Sequence, residues 1–169
     1  FANMTSTPTL SVVIPVYNEE MNIGKLYQRL QNALQPLNIE WEVVYINDGS
    51  KDRSLLVLQG LAETDRHVKY IDFSRNFGHQ IAITAGIEHA RGEWIVIMDG
   101  DGQDPPELLP DLLSKAQEGF EVVYARRRKR DGENFLKKFT ARMFYRLLAR
   151  ITSIEIPVDT GDFRIIHRK

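Results

Sequence analysis

The chain has 169 residues, a formal net charge of −1 and 43% hydrophobic residues. This length and composition suit one globular domain with a sizeable core. Because the chain has no cysteine, disulfides, thiolate metal sites and a cysteine nucleophile are excluded, and any metal must be bound by oxygen or histidine. No stretch of about 18 uninterrupted apolar residues predicts a membrane span, and residues 1–8 are interpreted as a tail or cloning scar.

Apolar runs and helical spacings alternate along the chain. The runs are continuous and each is followed by a helical pattern, which predicts an α/β fold with a mostly parallel sheet and helices on both faces. Ligands of such sheets bind at the carboxyl ends of the strands, where the polar segments PVYNEE, NDGSKD and MDGDGQD lie. Strands are predicted at 10–16, 41–47, 68–73, 93–99 and 121–125, and helices at 22–34, from 52 or 54 onward, at 80–90 and at 105–118.

Asp99 and Asp101 flank a glycine directly after the fourth predicted strand. Carboxylates at this spacing can both turn toward one hard divalent cation, and Gln103 can add a neutral oxygen. Mg²⁺ or Mn²⁺ suits such ligands. The alternative is a polar turn that caps the helix beginning at Pro105. No G-x-G-x-x-G follows the first strand, which argues against a Rossmann-type dinucleotide site.

Several segments, in this order and spacing, resemble the family 2 glycosyltransferases of the Rossmann-like GT-A fold. They are LSVVIPVYNEE, VYINDGSKD, DFSRNFGHQIAITAGIEHARG, IVIMDGDGQDPPELL and the late DTGDFR. The resemblance spans roughly residues 9–168 and is strongest to the polyprenyl-phosphate glycosyltransferases, such as dolichyl-phosphate mannose synthase and the bacterial undecaprenyl-phosphate glucosyltransferases. It implies an inverting hexosyltransferase that moves a sugar from a nucleotide-sugar donor to a polyprenyl phosphate.

The resemblance also implies roles for individual residues on the donor side. The nucleotide-binding set is Pro15, Tyr17, Glu19, Asp48, Arg75 and Asp99, and the metal set, for Mg²⁺ or Mn²⁺, is Asp99, Asp101 and Gln103. Asp48 is expected to accept a hydrogen bond from a base N–H, which suits uracil or guanine. UDP-glucose is the expected donor, with GDP-mannose or another nucleotide sugar as alternatives. For the first-strand motif the alternative is a strand-terminating turn, and for Arg75 it is a solvated surface position.

The four histidines show no metal-ligand spacing. All of them, including His79, are interpreted as structural or exposed. Gly100 and Gly102 stand where many family members carry larger residues, so a freer loop around the metal set is expected.

Residues 126–150 contain ten lysines and arginines against two acids, and apolar side chains recur at helical spacing from Phe135 to Ile151. The pattern predicts a basic amphipathic helix at a membrane surface. The alternative is that its apolar face docks on the domain's own core or on a second subunit, which leaves a homo-oligomer open. Without an aromatic platform or binding motif beside the basic residues, no nucleic acid partner is expected.

The acceptor side rests on arginines and late acids. Arg126 and Arg128, and Arg164 by the resemblance, are candidate contacts for the acceptor phosphate, because guanidinium forks suit phosphate. The resemblance places Asp159 or Asp162 near the acceptor as an orienting group or base, whereas the alternative is an acid that caps a turn. A phosphate monoester is largely dianionic near neutral pH, so a strong base is unnecessary.

The expected organisation is one domain with a nucleotide-sugar-binding core at 9–125 and an acceptor and membrane-interface segment at 126–169. Members of the group usually continue into transmembrane helices, so a fragment at the cytoplasmic face of the inner membrane is expected. Two other functions remain open. One is a soluble family 2 transferase that extends a polysaccharide, and the other is a membrane-binding module without catalysis.

Overall fold

The computed structural model describes residues 7–125 and 163–169. Its strands are β1 (Leu10–Val16), β2 (Trp41–Asn47), β3 (Val68–Asp72), β4 (Trp94–Ile97), β5 (Val122–Tyr124) and β6 (Arg164–His167). Its α-helices are α1 (Ile23–Leu34), α2 (Ser54–Thr64), α3 (His79–His89) and α4 (Leu109–Gln117). The strands form one sheet in the order β3-β2-β1-β4-β6-β5. Among the strands of the described residues, only β6 runs in the opposite direction to the others, which confirms the predicted mostly parallel α/β fold.

Burial along the strands follows their position in the sheet. Strands β1, β2 and β4 are buried along their whole length, as expected for parallel strands covered on both faces. In β3 only Val68 is buried and the following positions alternate between half-buried and exposed, and β5 is largely exposed. Both are edge strands, so the prediction of continuous burial is correct for the centre of the sheet and wrong for its edges.

Helices lie on both faces of the sheet. Val13, Val44 and Ala82 belong to one buried cluster, so α3 packs on the face that β1 and β2 present there. Trp41 is three residues from Val44 on the same strand and therefore points to the opposite face. Its ring contacts that of Tyr27 on α1, with centroids 6.5 Å apart. Helices α1 and α3 thus cover opposite faces, as predicted.

The strand order creates a crevice beside β1. The chain runs outward from β1 to β2 and β3, then returns through α3 to place β4 on the other side of β1. Neighbouring connections therefore diverge at the carboxyl ends of β1 and β4. Ligands of open α/β sheets bind at such a switch point.

A buried carboxylate ties the strands together at their opposite, amino ends. Glu42 accepts hydrogen bonds from the Ser11 hydroxyl at 2.7 Å, from the Arg91 backbone N–H at 2.7 Å and from the Lys69 ammonium. Burial alone raises the pKa of Glu42, but these hydrogen bonds together outweigh it and lower the pKa below its ordinary value. The network stabilises the end of the sheet away from the crevice.

One helix begins later than the sequence predicts. The segment predicted as a helix from residue 105 starts with a 3₁₀ turn at Pro106–Leu108, and α4 begins at Leu109. Within 7–125 and 163–169, no helix is long and apolar enough to cross a membrane. The predicted amphipathic helix at 126–150 lies outside the described residues.

Candidate active site

A cleft of about 310 Å³ opens at the carboxyl ends of β1, β2 and β4. The structure brings together there most of the residues expected to bind the donor, although they come from three separate strand ends. The lining residues are Pro15, Val16, Tyr17, Glu19, Asp48, Asn76, Gly78, His79, Asp99, Gly100 and Asp101.

The loop after β1 is attached to the loop after β2. The backbone N–H of Asn18 donates to the Ser50 hydroxyl at 2.9 Å, and the N–H of Glu19 donates to the Ser54 hydroxyl at 2.9 Å. Asn18 has φ of 58°, a left-handed conformation that asparagine tolerates and that lets the loop turn back. These bonds hold the PVYNEE segment, with Tyr17 42% exposed on the cleft wall.

Asp48 anchors the loop that precedes α3. Its carboxylate accepts hydrogen bonds from the backbone N–H of Phe77 at 2.7 Å and from that of Gly78 at 3.0 Å. The residue is only 3% exposed. The side chain predicted to contact a base therefore also holds one wall of the cleft, a partner that sequence reasoning missed.

Gly49 allows the same loop to come close. Its φ is 66°, and a Cβ atom there would lie 2.3 Å from the carbonyl carbon of Arg75 and 2.5 Å from the backbone nitrogen of Asn76. Only glycine accommodates both the conformation and the approach. Asp48 and Gly49 together fix the path of the loop at residues 75–78.

Arg75 is not among the residues that line the cleft. Its guanidinium carbon lies 4.5 Å from the centroid of the Phe77 ring, a cation–π geometry. The Phe77 ring in turn meets Phe73 edge-on at 5.5 Å. This placement favours the surface alternative for Arg75, and its predicted donor contact gains no support from the geometry.

His79 lines the cleft, and its exposed side chain agrees with its interpretation as structural or exposed. Its Nε2 atom lies 3.6 Å from Oδ1 of Asp99, and the two side chains are 43% and 39% exposed. Asn76 lines the cleft as well. The sequence signal for this position is Gly78, directly before His79. Gly78 has φ of 101°, and α3 begins at the next residue.

The loop after β4 is held by hydrogen bonds from its backbone to two of its own aspartates. The N–H of Asp99 donates to Oδ2 of the buried Asp104 at 3.0 Å, and the N–H of Gln103 donates to Oδ1 of Asp101 at 2.9 Å. These bonds place the Asp99 and Asp101 side chains on the cleft, whereas Gln103 is not among its lining residues.

Arg29 supports that loop from α1. Its guanidinium makes a bidentate pair with Glu107, each N–O distance being 2.8 Å, and donates to the carbonyl of Gly102 at 3.3 Å. The hydrogen bonds from Arg29 are the main cause of the lowered pKa of Glu107. Sequence reasoning did not identify Arg29, because its partners lie more than 70 residues away.

Gly100 is tightly packed rather than loose. A Cβ atom at this position would lie 2.9 Å from the carbonyl oxygen of Pro15 and 3.5 Å from the side chains of Ile14 and Val16. The expectation that Gly100 frees the loop is therefore wrong, because the missing side chain lets the loop press against the end of β1.

The oxygen atoms of the cleft suit a hard divalent cation that takes some of its ligands from the protein and the others from a bound substrate. Asp99 and Asp101 supply carboxylate oxygens, which Mg²⁺ and Mn²⁺ prefer. In the part of the chain that the structure describes, no three His, Asp or Glu residues form a complete metal site. Magnesium sites often consist of one or two carboxylates with phosphate oxygens and water, so two carboxylates would suffice beside a phosphorylated ligand.

Arg164 lies at the same end of the sheet as the cleft, beside the carboxyl end of β4. It is the first residue of β6 and pairs with Ile97 of β4, two residues before Asp99. On its other side it pairs with Tyr124 of β5. The other residues predicted for the acceptor side, Arg126, Arg128, Asp159 and Asp162, lie outside the described residues.

Comparisons with known proteins identify the family of the chain. The glycosyl transferase family 2 model matches residues 11–169, and the chain belongs to that family of transferases. An uncharacterized glycosyltransferase of Bacillus subtilis (strain 168) is 57% identical over 159 residues, which cover 94% of this chain and 49% of that protein. A prophage bactoprenol glucosyl transferase homolog of Escherichia coli (strain K12) is 40% identical over 159 residues, covering 94% and 52%.

The chain spans about half the length of these relatives. A solved mannosyltransferase from Pyrobaculum calidifontis, in complex with GDP-Man and Mn²⁺, matches with a TM-score of 0.66 at 23% identity, covering 96% of this chain and 45% of that chain. This likeness shows a shared fold, and the chain has the expected GT-A fold.

Proposed function

We propose that the protein transfers glucose from UDP-glucose to a polyprenyl phosphate, with inversion at the sugar and with a divalent cation. The observation that carries this proposal is the convergence of Tyr17, Glu19, Asp48, Asp99 and Asp101 in one cleft at the switch point of the sheet. Glucose and a polyprenyl acceptor are supported by the 40% identical relative, which is named as a bactoprenol glucosyl transferase homolog.

On the donor side, the two halves of the cleft take the two parts of the nucleotide. Pro15, Tyr17, Glu19 and Asp48 surround the nucleoside, and Asp48 keeps acceptor capacity because a carboxylate accepts more hydrogen bonds than the two that its loop supplies. Asp99 and Asp101 would hold Mg²⁺ or Mn²⁺ for the diphosphate. When bound, the cation supplies Lewis-acid stabilisation of the charge that builds on the departing diphosphate.

On the acceptor side, a phosphate oxygen of the polyprenyl phosphate forms the new bond to the anomeric carbon while the bond to UDP breaks. Because the monoester is largely dianionic near neutral pH, its oxygen is already a nucleophile. We assign Arg164, the first residue of β6, to the acceptor phosphate, and Arg126 and Arg128 are assigned to it from the sequence alone. Asp159 or Asp162 orients the acceptor.

The lipid acceptor requires the cleft to work at a membrane surface. The basic, amphipathic sequence of 126–150 suits anionic headgroups, since each lysine or arginine near such a surface contributes about 1 kcal/mol. We place the reaction at the cytoplasmic face of the inner membrane, where nucleotide sugars are available.

Calorimetric titration with UDP and with GDP, each with and without Mn²⁺, tests the donor assignment. We expect Mn²⁺-dependent binding of UDP that Asp101→Asn abolishes and Asp111→Asn, an exposed acid on α4, leaves intact. Binding of GDP alone would replace UDP-glucose by GDP-mannose in the same reaction. Binding of neither nucleotide would contradict the proposal and favour a membrane-binding module. Transfer to saccharides without lipid would favour the polysaccharide alternative.

A further inference from the structure

We infer that His79 is a further donor-site residue, which donates a hydrogen bond to the terminal phosphate of the bound nucleoside diphosphate. This inference rests on the proposed function, because it assigns a residue to the diphosphate part of that site. Three features support it: the place of His79 in the cleft, the way its backbone is held, and the charge that it faces.

His79 is positioned by contacts that precede it in the chain. The Gly78 N–H donates to Asp48, and α3 starts at His79 immediately afterwards. Gly49 lets the backbone of Arg75 and Asn76 pass at close range. The imidazole is thus attached to a wall fixed at both the second strand end and the helix start, so its position needs little ordering when a ligand binds.

The position of the imidazole beside Asp99 indicates that its partner is the diphosphate and not the nucleoside. Nε2 lies 3.6 Å from Oδ1 of Asp99, the carboxylate proposed to hold the cation beside the diphosphate. A group bound next to Asp99 therefore lies within reach of the ring. An imidazole N–H is a good donor to an anionic phosphate oxygen, and hydrogen bonds to charged groups are stronger than neutral ones.

The surrounding charges make a donor useful at this position. Glu19, Asp48 and Asp101 line the same cleft together with Asp99, so an incoming diphosphate meets several carboxylates. Within this group of carboxylates His79 supplies a ring nitrogen that can donate a hydrogen bond, and its Nε2 lies 3.6 Å from Oδ1 of Asp99. Its side chain is 43% exposed, so a ligand can reach it.

The experiment compares UDP with UMP at saturating Mn²⁺, with GDP and GMP in parallel. If His79 contacts the terminal phosphate, His79→Ala lowers UDP affinity by on the order of 10- to 100-fold and changes UMP affinity little. His79→Gln, which keeps an N–H donor, recovers part of the loss. The matched control is His89→Ala at the other end of α3, where the ring contacts the carbonyl of Ala85 at 2.9 Å.

The possible results separate the inference from the proposed function. If the unaltered protein binds UDP with Mn²⁺ but His79→Ala lowers UDP and UMP affinity equally, or neither, the inference is wrong and the proposed function stands. If the unaltered protein binds no nucleotide, both are wrong. Thermal unfolding of each variant confirms that the comparison is made between folded proteins.

Discussion

The backbone N–H of Phe77 donates a 2.7 Å hydrogen bond to the carboxylate of Asp48, which stands 29 residues earlier in the chain. The end of β2 and the start of α3 are thereby joined at one buried acid. Asp48→Asn keeps the size of the side chain but replaces one acceptor oxygen by a donor NH₂ facing a backbone N–H. We expect UDP affinity to fall about 10-fold or more, because an unmet buried hydrogen bond costs about 1–3 kcal/mol. Calorimetry measures the affinity, and hydrogen exchange at residues 75–79 reports the loosened loop.

Asp111→Asn is the control for that substitution, because Asp111 is an exposed acid on α4 away from the cleft. If Asp48→Asn left both the affinity and the exchange of residues 75–79 unchanged, the anchoring role of Asp48 would be wrong.

Gly49 and Gly24 form a matched pair of glycines. At Gly49, with φ of 66°, an added Cβ would lie 2.3 Å from the Arg75 backbone, whereas at Gly24 in α1 nothing lies within 4 Å. Gly49→Ala is expected to lower the free energy of unfolding by about 2–4 kcal/mol. Gly24→Ala is expected to raise it by about 0.5–1 kcal/mol. Urea unfolding measures both, and equal effects at the two positions would contradict the close approach.

Gly100 separates stability from binding. An added Cβ would press on the Pro15 carbonyl at 2.9 Å and displace the neighbouring Asp99 and Asp101. We expect Gly100→Ala to weaken Mn²⁺-dependent UDP binding several-fold at a cost of only about 1–2 kcal/mol in unfolding free energy. Gly60→Ala in α2, where nothing lies within 4 Å, is the control. Unchanged binding in Gly100→Ala would show that the loop tolerates the displacement.

Asp65 makes stability depend on acid pH. Burial alone raises its pKa, but hydrogen bonds from the Tyr27 hydroxyl and from the backbone and ring of His67 outweigh it and lower the pKa to about 2. A carboxyl whose folded pKa is depressed stabilises the protein above its unfolded pKa, about 3.9, and loses that contribution as the pH falls toward 2.

The expected result is that Asp65→Asn lowers the free energy of unfolding by about 1–2 kcal/mol at pH 7. The difference from the unaltered protein shrinks between about pH 4 and pH 2. Glu63→Gln, at an exposed acid two residues earlier, is the control. Urea unfolding across this pH range checks the prediction, which a constant difference at every pH would refute.

Most of the fold was predictable from local pattern. The bounds of β1 and β2 agree with the sequence prediction because continuous β-branched runs ended by polar clusters leave little choice of register. The predicted start of α4 was wrong because Pro105 and Pro106 favour a 3₁₀ turn before the regular helix. The partial exposure of β3 after Val68 was also missed, since the prediction treated all the strands as buried and did not place β3 at the edge of the sheet.

The site was predictable only where its residues stand at strand ends. Asp99, Asp101 and Asp48 follow strands directly, and the parallel arrangement brings them together. The contacts of Arg29 with Gly102 and of Asp48 with Phe77 join distant segments and leave no periodic signal. The place of His79 in the cleft was not predicted for the same reason, because metal-ligand spacing along the chain was the test applied to the histidines.

The most direct test of the central claim is transfer of radiolabelled glucose from UDP-glucose to undecaprenyl phosphate in anionic lipid vesicles with Mn²⁺. The account predicts a labelled, organic-soluble product that Asp99→Asn abolishes and Asp111→Asn preserves. A protein that binds UDP but forms no labelled lipid, or an Asp99→Asn variant as active as the unaltered protein, would contradict it.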